Sequence, residues 1–216
     1  MIVEQNGLHM KIIAEKIFDR FFVRVFDLIY APGKHYYCAT RRDENRLVSV
    51  MSDKQFSIMM PDAVSCCVIF RTADKEPQML LNKEYRYPLG RYVYSVPAGL
   101  IDTTEQNELK RDSAIISTAK RELFEETGIH VTEKDKLSVI NPCLFSSPGL
   151  TDESNAVVMI ELFDHDVGEI NQNGAEGSEL FDGYVFVDRL HAKEMMRNES
   201  ISTYTWVGLS VFLDNA

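Results

Sequence analysis

Eight residues, RELFEETG from 121 to 128, hold three glutamates and an arginine and end on a glycine. On a helix advancing about 100° per residue, Glu122 and Glu126 stand within about 40° of each other, and Glu125 lies about 60° to the other side of Glu122. The apolar stripe expected for AIISTAKRELFEET is Ile116, Ala119 and Leu123. It centres about 100° from Glu122 by the same count. The carboxylates are therefore expected at the edge of the buried face, with Glu126 leaning to the core side. A charge that merely solvates a helix belongs opposite that stripe. Like charges one turn apart repel unless a cation lies between them. Clustered carboxylates suit hard, oxygen-seeking ions such as magnesium. Arg121 precedes Glu125 by four residues and is placed to orient it by a bidentate pair. A solvated glutamate-rich face is the competing reading of the helix taken alone.

The surrounding pattern says which elements must position this helix. Up to about residue 60 the chain reads as strands and turns. KIFDRFFVRVFDLIYA is rich in aromatic and β-branched residues, APGK is a turn and HYYCATRR a second strand, while LVSVMSDKQFSIMM suggests two more short strands. AVSCCVIFRT, QMLLNKEYRY and RYVYSVPAG follow as strands, the last ended by Pro97 and Gly99. The helical period then runs from about Ser113 to a natural stop at Gly128. LSVINPCLF, AVVMIELFDH and GYVFVDR resume strand character, and VDRLHAKEMMRN and STYTWVGLSVFLDN read as helices. The expected class is α+β, with a β-rich extension over 1–60 and a main domain over 61–216.

Composition narrows the partners. The chain has 216 residues, 45% apolar and 26% charged, which is an ordinary globular make-up. No apolar run reaches the roughly 20 residues of a membrane span, and the first residues, with Glu4, do not read as a signal peptide. A cytoplasmic protein is expected, with no membrane partner. The net charge is −10, and no basic stripe suggests a nucleic-acid partner. An acidic chain repels phosphate compounds unless bound cations reverse the local sign. The four cysteines, Cys38, Cys66, Cys67 and Cys143, show no zinc-ligand spacing and read as reduced thiols.

PAGLIDTTE before the helix and RELFEETGI along it together resemble the Nudix box, in which Gly, five residues, Glu and seven residues precede Arg-Glu-aliphatic-x-Glu-Glu-x-Gly-aliphatic. Gly99, Glu105, Arg121, Glu122, Leu123, Glu125, Glu126, Gly128 and Ile129 fill the slots. One departure is plain: fifteen residues separate Glu105 from Arg121 where the pattern has seven. The extra residues fall in TTEQNELKRD, read as a solvated loop with a cap on the site or a dimer contact as the alternatives, and counting back from Arg121 puts Ser113 in the glutamate slot with Asp112 beside it. EYRYPLGRYVYSVPAGLID and SPGLTDE are similar to the segments before and after the box in ADP-ribose pyrophosphatases. Where many relatives have Glu two residues before Pro-Ala-Gly, this chain has Ser95.

The resemblance implies a Nudix-type α/β/α sandwich around a mixed sheet, with an N-terminal extension that helps build a homodimer. It implies Mg²⁺, or Mn²⁺, held by Glu122, Glu126 and Glu125 with the carbonyl of Ala98. The implied substrate is ADP-ribose or a similar nucleoside diphosphate sugar. Water would attack a phosphorus of the P–O–P bridge, with Glu153 as the candidate base and Glu126 or Glu125 as fallback. Arg121 belongs to the same machinery. Gly99, Pro148 and Gly149 are candidate substrate-binding positions. Arg86 and Arg91 flank YPLG and are placed for charge-assisted bonds to the pyrophosphate, with a plain surface pair as the alternative. Tyr85, Tyr87, Tyr92 and Tyr94 are either stacking surfaces for a base or core aromatics. His9, His35, His130, His165 and His191 form no cluster, and Trp206 reads as a packing residue.

Two other classes stay open. One is a non-catalytic ligand-sensing Nudix-like module, usually fused to a DNA-binding part; the absence of a winged-helix tail or basic face speaks against it, as do the three intact glutamates. The other is an interaction domain whose glutamate helix does no chemistry. A Nudix pyrophosphatase acting on a different nucleotide conjugate is the alternative within the same chemistry.

Overall fold

A computed structural model describes residues 2–5, 8–73, 75–102, 104, 106, 110–172 and 180–215. Glu105 lies outside the described residues, as do 107–109 of the insertion. The chain divides into two compact units, residues 1–60 with 145–154, and residues 61–144 with 155–216.

The first unit begins with an antiparallel ribbon of β1 (Ile2–Gln5) and β2 (Leu8–Lys11). An antiparallel sheet follows, β3 (Ile13–Arg20), β4 (Val23–Ala31) and β5 (Lys34–Thr40), with β4 in the middle. The apolar run KIFDRFFVRVFDLIYA is thus a hairpin, turning at Phe21–Phe22. Alternation along β4 turns Phe26 and Leu28 inwards, where they pack with Cys38, Leu47 and Val50. The two short strands expected over 47–60 do not form. Val48–Val50 is a 3-10 turn, and α1 (Asp53–Ser57) is a short helix. The reason is local: Ser52 and Gln55 make a reciprocal capping box, which fixes a helix start in this stretch.

The second unit is built on one mixed sheet. Its strands are β6 (Ala63–Arg71), β7 (Gln78–Arg86), β8 (Arg91–Ser95), β9 (Ala98–Leu100), β10 (Lys136–Phe145), β11 (Ser154–Phe163) and β12 (Phe181–Val187). The order is β10-β11-β6-β7-β12, with β8 on β7 and β9 on β6. β6 runs parallel to β11 and antiparallel to β7 and β9. Eight of its nine residues are buried, as expected for a strand covered on both faces.

Strand parity assigns the two faces. Cys67, Ile69, Met79 and Leu81 pack against Ala192, Met195, Leu209 and Phe212 of α3 (Arg189–Asn198) and α4 (Thr203–Asn215). On the opposite face lies α2 (Arg111–Thr127), against β6 and β9, with the Cys66 thiol directed at the carbonyl of Ala119. The unit is a helix–sheet–helix sandwich of the α+β class.

α2 starts two residues earlier than its periodicity suggests and ends at Gly128, whose φ of 73° is left-handed and whose N–H bonds the carbonyl of Phe124. Its buried residues are Ala114, Ile115, Thr118, Ala119, Glu122, Leu123, Glu126 and Thr127. Ile116 is only half-buried. The buried arc therefore centres between Glu122 and Glu126 at about 100° per residue, not about 100° away from Glu122. An apolar stripe cannot reveal this, because polar residues in the buried face carry no hydrophobic signal.

Candidate active site

Both central glutamates of α2 are nearly inaccessible, Glu122 at 5% and Glu126 at 4% exposure. Buried carboxylates need partners, and the neighbouring strand and turn provide them. Glu126 Oε1 accepts from the Ala98 N–H at 3.1 Å, and its Oε2 accepts from Asn82 Nδ2 on β7. Glu122 Oε1 lies 2.7 Å from Arg121 Nη1. The same Nη1 reaches Glu125 Oε2 at 2.9 Å, while Nη2 donates to the carbonyl of Leu100 at 2.8 Å. Arg121 thus serves two carboxylates from one nitrogen and ties α2 to β9, where a bidentate grip on Glu125 alone is the sequence expectation. One guanidinium thus faces three glutamates, and the more exposed Asp102 carboxylate also lies 3.7 Å from its Nε.

Gly99 has a steric reason to be glycine. A Cβ built there falls 2.0 Å from the carboxyl carbon of Glu122. Strand β9 thus passes directly over the glutamate, pinned by its register with β6, in which Gly99 faces Val64. Ala98, Gly99, Glu122 and Glu126 are brought together, with Arg121 and Glu125 at the outer edge. The negative potential of the site reaches the sheet: burial pushes the Cys66 thiol well above its ordinary value, and the charges of Glu126 and Glu122 add to the shift.

As they stand, no three acidic, His or Cys side chains among the described residues are gathered closely enough to hold an ion. The donor chemistry nevertheless fits a hard divalent cation: the carboxylates of Glu122, Glu125 and Glu126 and the backbone oxygen of Ala98 are all oxygen donors.

Arg86 and Arg91 face each other across the β7–β8 hairpin. Arg86 pairs with Glu84 at 2.7 Å, and Arg91 Nε donates to the carbonyl of Leu89. Tyr85 packs edge-to-face on Tyr87 and Tyr92, with Lys83 over the Tyr92 ring. Tyr94 packs against the α3–α4 core. Ser95 is buried, and its hydroxyl has no partner among the described residues. Trp206, expected as a packing residue, is half-exposed on α4.

Glu153, Pro148 and Gly149 belong to the first unit. Glu153 lies 3.7 Å from Arg41, both about two-fifths exposed. The Gly149 carbonyl accepts from the Tyr36 hydroxyl at 2.7 Å. Pro148 lines a cavity of about 280 Å³ with Leu28, Tyr36, Phe56, Phe145 and Leu150. The SPGLTDE loop is held from within: Arg42, 5% exposed, donates to the Asp152 carbonyl and the Ser154 hydroxyl.

The sequence reading missed Asn82 and Gln172. Asn82 is 1% exposed and bonded on both sides, to Glu126 and, through its oxygen, to Gln172 Nε2 at 3.1 Å. The signal was an asparagine closing the apolar run MLLN inside a central strand.

The model of the Nudix domain matches residues 59–207. An uncharacterised Nudix hydrolase of Schizosaccharomyces pombe is 38% identical over 101 residues, 47% of this chain and 43% of its own length. The ADP-sugar pyrophosphatase of Mus musculus is 29% identical over 120 residues, 56% of this chain and 50% of its own. The ADP-ribose pyrophosphatase of Saccharomyces cerevisiae is 32% identical over 102 residues, 47% and 39% respectively. The chain thus spans half or less of the length of these curated relatives. The domain match covers the whole stretch that carries the glutamate helix, its overlying glycine and the sheet beneath, and the chain belongs to the Nudix family.

Proposed function

We propose that the protein is a Mg²⁺-dependent pyrophosphohydrolase cleaving the P–O–P bridge of ADP-ribose, or of a similar nucleoside diphosphate sugar, into a nucleoside monophosphate and a sugar phosphate. The observation that carries this reading is the close approach of Gly99 to Glu122 beside the doubly held Glu126. Burying two carboxylates in the face of a helix is costly, and a site for cations gives that cost a use. The names of the mouse and yeast relatives support the substrate class.

Glu122, Glu125, Glu126 and the Ala98 carbonyl would hold Mg²⁺, with Mn²⁺ as a substitute. When bound, the ion supplies charge neutralisation on the phosphoryl oxygens and a lowered pKa of the attacking water. Arg121 keeps Glu122 and Glu125 oriented and holds β9 against α2. Glu153 is the proposed base for the attacking water, with Glu126 or Glu125 as fallback. Arg86 and Arg91 bind the pyrophosphate from the β7–β8 hairpin.

Two further readings follow. Residues 1–60 form a dimerisation element, with a second copy covering the exposed Ile17, Phe18, Phe22 and Tyr37, an assembly that small-angle scattering tests directly. Free thiols at all four cysteines fit a reducing, cytoplasmic setting. No helix among the described residues is long and apolar enough to cross a membrane.

Hydrolysis of a panel of nucleotide conjugates, with and without Mg²⁺, tests the proposal. AMP from ADP-ribose only in the presence of metal is the expected result. Cleavage of a different conjugate moves the substrate and keeps the chemistry. Binding without cleavage of any conjugate returns the protein to the sensing class.

A further inference from the structure

We propose that Asn82, backed by Gln172, is a positioning residue for Glu126. It sets the plane of that carboxyl group so that one face stays directed at the metal site. The inference rests on the cation-binding reading above and deepens it.

Asn82 occupies a place where an apolar residue is the ordinary choice. It follows Met79, Leu80 and Leu81 on β7, all three fully buried, and is itself 1% exposed. A buried amide without partners costs several kcal/mol on the order of 2–7, so its bonds matter. The carboxylate of Glu126 only accepts, so the group that Asn82 turns to it is the NH₂. The opposite end of the amide, its oxygen, accepts from Gln172 Nε2 at 3.1 Å. Flipping Asn82 would set oxygen against oxygen at Glu126 and NH₂ against NH₂ at Gln172. The carboxylate fixes the orientation of Asn82, and the Gln172 amide turns its NH₂ to match.

The two oxygens of Glu126 are consequently held by two neutral N–H donors from different strands, Ala98 on β9 and Asn82 on β7. Two fixed points on one carboxyl group define its plane. Neutral donors do this without cancelling the negative charge, unlike Arg121 at Glu122. Glu126 keeps its charge for a cation while losing rotational freedom, which is what an outer partner of a metal ligand supplies.

The test uses Mn²⁺ as the probe, its affinity read by electron paramagnetic resonance on the full chain, beside thermal unfolding. Asn82→Leu keeps the branched side-chain skeleton and removes the donor, and is expected to weaken Mn²⁺ binding by about 10–100-fold. Gln172→Leu, at a half-buried position outside the strands, is expected to weaken it less. Wild-type Mn²⁺ affinity in folded Asn82→Leu overturns the proposal. Should that variant not fold, unchanged affinity in Gln172→Leu does the same. A second readout needs no metal: the Asn82 side-chain amide signals in a ¹⁵N spectrum are expected to shift in Glu126→Gln. If the wild-type protein binds no Mn²⁺, the cation-binding reading falls. The amide shift then decides alone, its presence keeping Asn82 as the group that orients Glu126 and its absence ending the proposal.

Discussion

Replacing Gly99 by alanine tests whether the site depends on strand β9 lying directly over Glu122. The added Cβ would sit 2.0 Å from the Glu122 carboxyl carbon, against 3.4 Å for an ordinary contact, so one partner must move by about 1.4 Å. The strand cannot retreat cheaply, because Ala98, Gly99 and Leu100 are in register with Ser65, Val64 and Ala63 of β6. Glu122 must give way, and it starts 5% exposed with Arg121 Nη1 at 2.7 Å. Overpacking of this kind costs about 1–3 kcal/mol, equivalent to a fall in melting temperature of roughly 2–12 °C for a domain of this size. Displacing a reacting-site group by about 1 Å costs on the order of a hundredfold in rate. Gly99→Ala is therefore expected to lose Mg²⁺-dependent turnover by about that factor and to bind Mn²⁺ more weakly. The double variant Gly99→Ala with Glu122→Ala removes the obstructing carboxyl group and should regain much of the lost melting temperature while staying inactive, a coupling expected only of groups in contact. Wild-type turnover and Mn²⁺ affinity in Gly99→Ala would refute the reasoning, as would additive stability losses in the double variant.

Glu153→Gln is expected to lower turnover by roughly a hundredfold or more while Mn²⁺ affinity is preserved; near-wild-type turnover removes Glu153 as the base. Gly128→Ala forces a side chain into a left-handed turn and 2.4 Å from Asn171 Nδ2, so a loss of about 1–2 kcal/mol is expected in urea unfolding, with Mn²⁺ affinity little changed. Asp135 gives a pH prediction. Burial alone would raise its pKa, but the N–H groups of Thr132 and Phe163 together with His165 outweigh burial and hold it below the ordinary carboxylate value. Its stabilisation is therefore full above the unfolded value, about 3.9, and is lost as pH falls through the lower folded value. Urea unfolding at pH 7, 5, 4 and 3 should show this acid-dependent component in the wild type and not in Asp135→Asn.

The parts of the site that could be read from sequence are those fixed by spacing. Arg121, Glu122, Glu125, Glu126 and Gly128 share one helix, whose geometry is known before any tertiary contact forms. Gly99 was readable as a position, but its reason, the 2.0 Å approach to Glu122, needs the sheet. The depth of the glutamates is hidden from sequence for a related cause. Hydrophobic periodicity locates a buried face from its apolar members, and here the centre of that face is occupied by two carboxylates. The stripe through Ile116, Ala119 and Leu123 caught only one flank. Residues 47–60 differ the other way: their β-branched composition suggests strands, while the capping box of Ser52 and Gln55 starts a helix.

Asn82 shows what sequence supplies only in part: the letters mark a polar residue closing an apolar run, and they do not name its partners. Its partners are 44 and 90 residues away along the chain, and nothing local distinguishes it from a strand-end polar residue. Only the tertiary approach of β7 to Glu126 turns it from an apparent packing fault into a donor. The same logic orders the whole site. An acidic cluster at a helix–sheet junction, two of its glutamates buried, is held by Arg121 and by neutral N–H groups that carry no compensating charge. Residues selected only for stability would have replaced the acids with apolar side chains at little cost. Acids that are kept and fixed in direction are what the cation-binding proposal expects, and Mn²⁺ titration of the wild-type chain tests it.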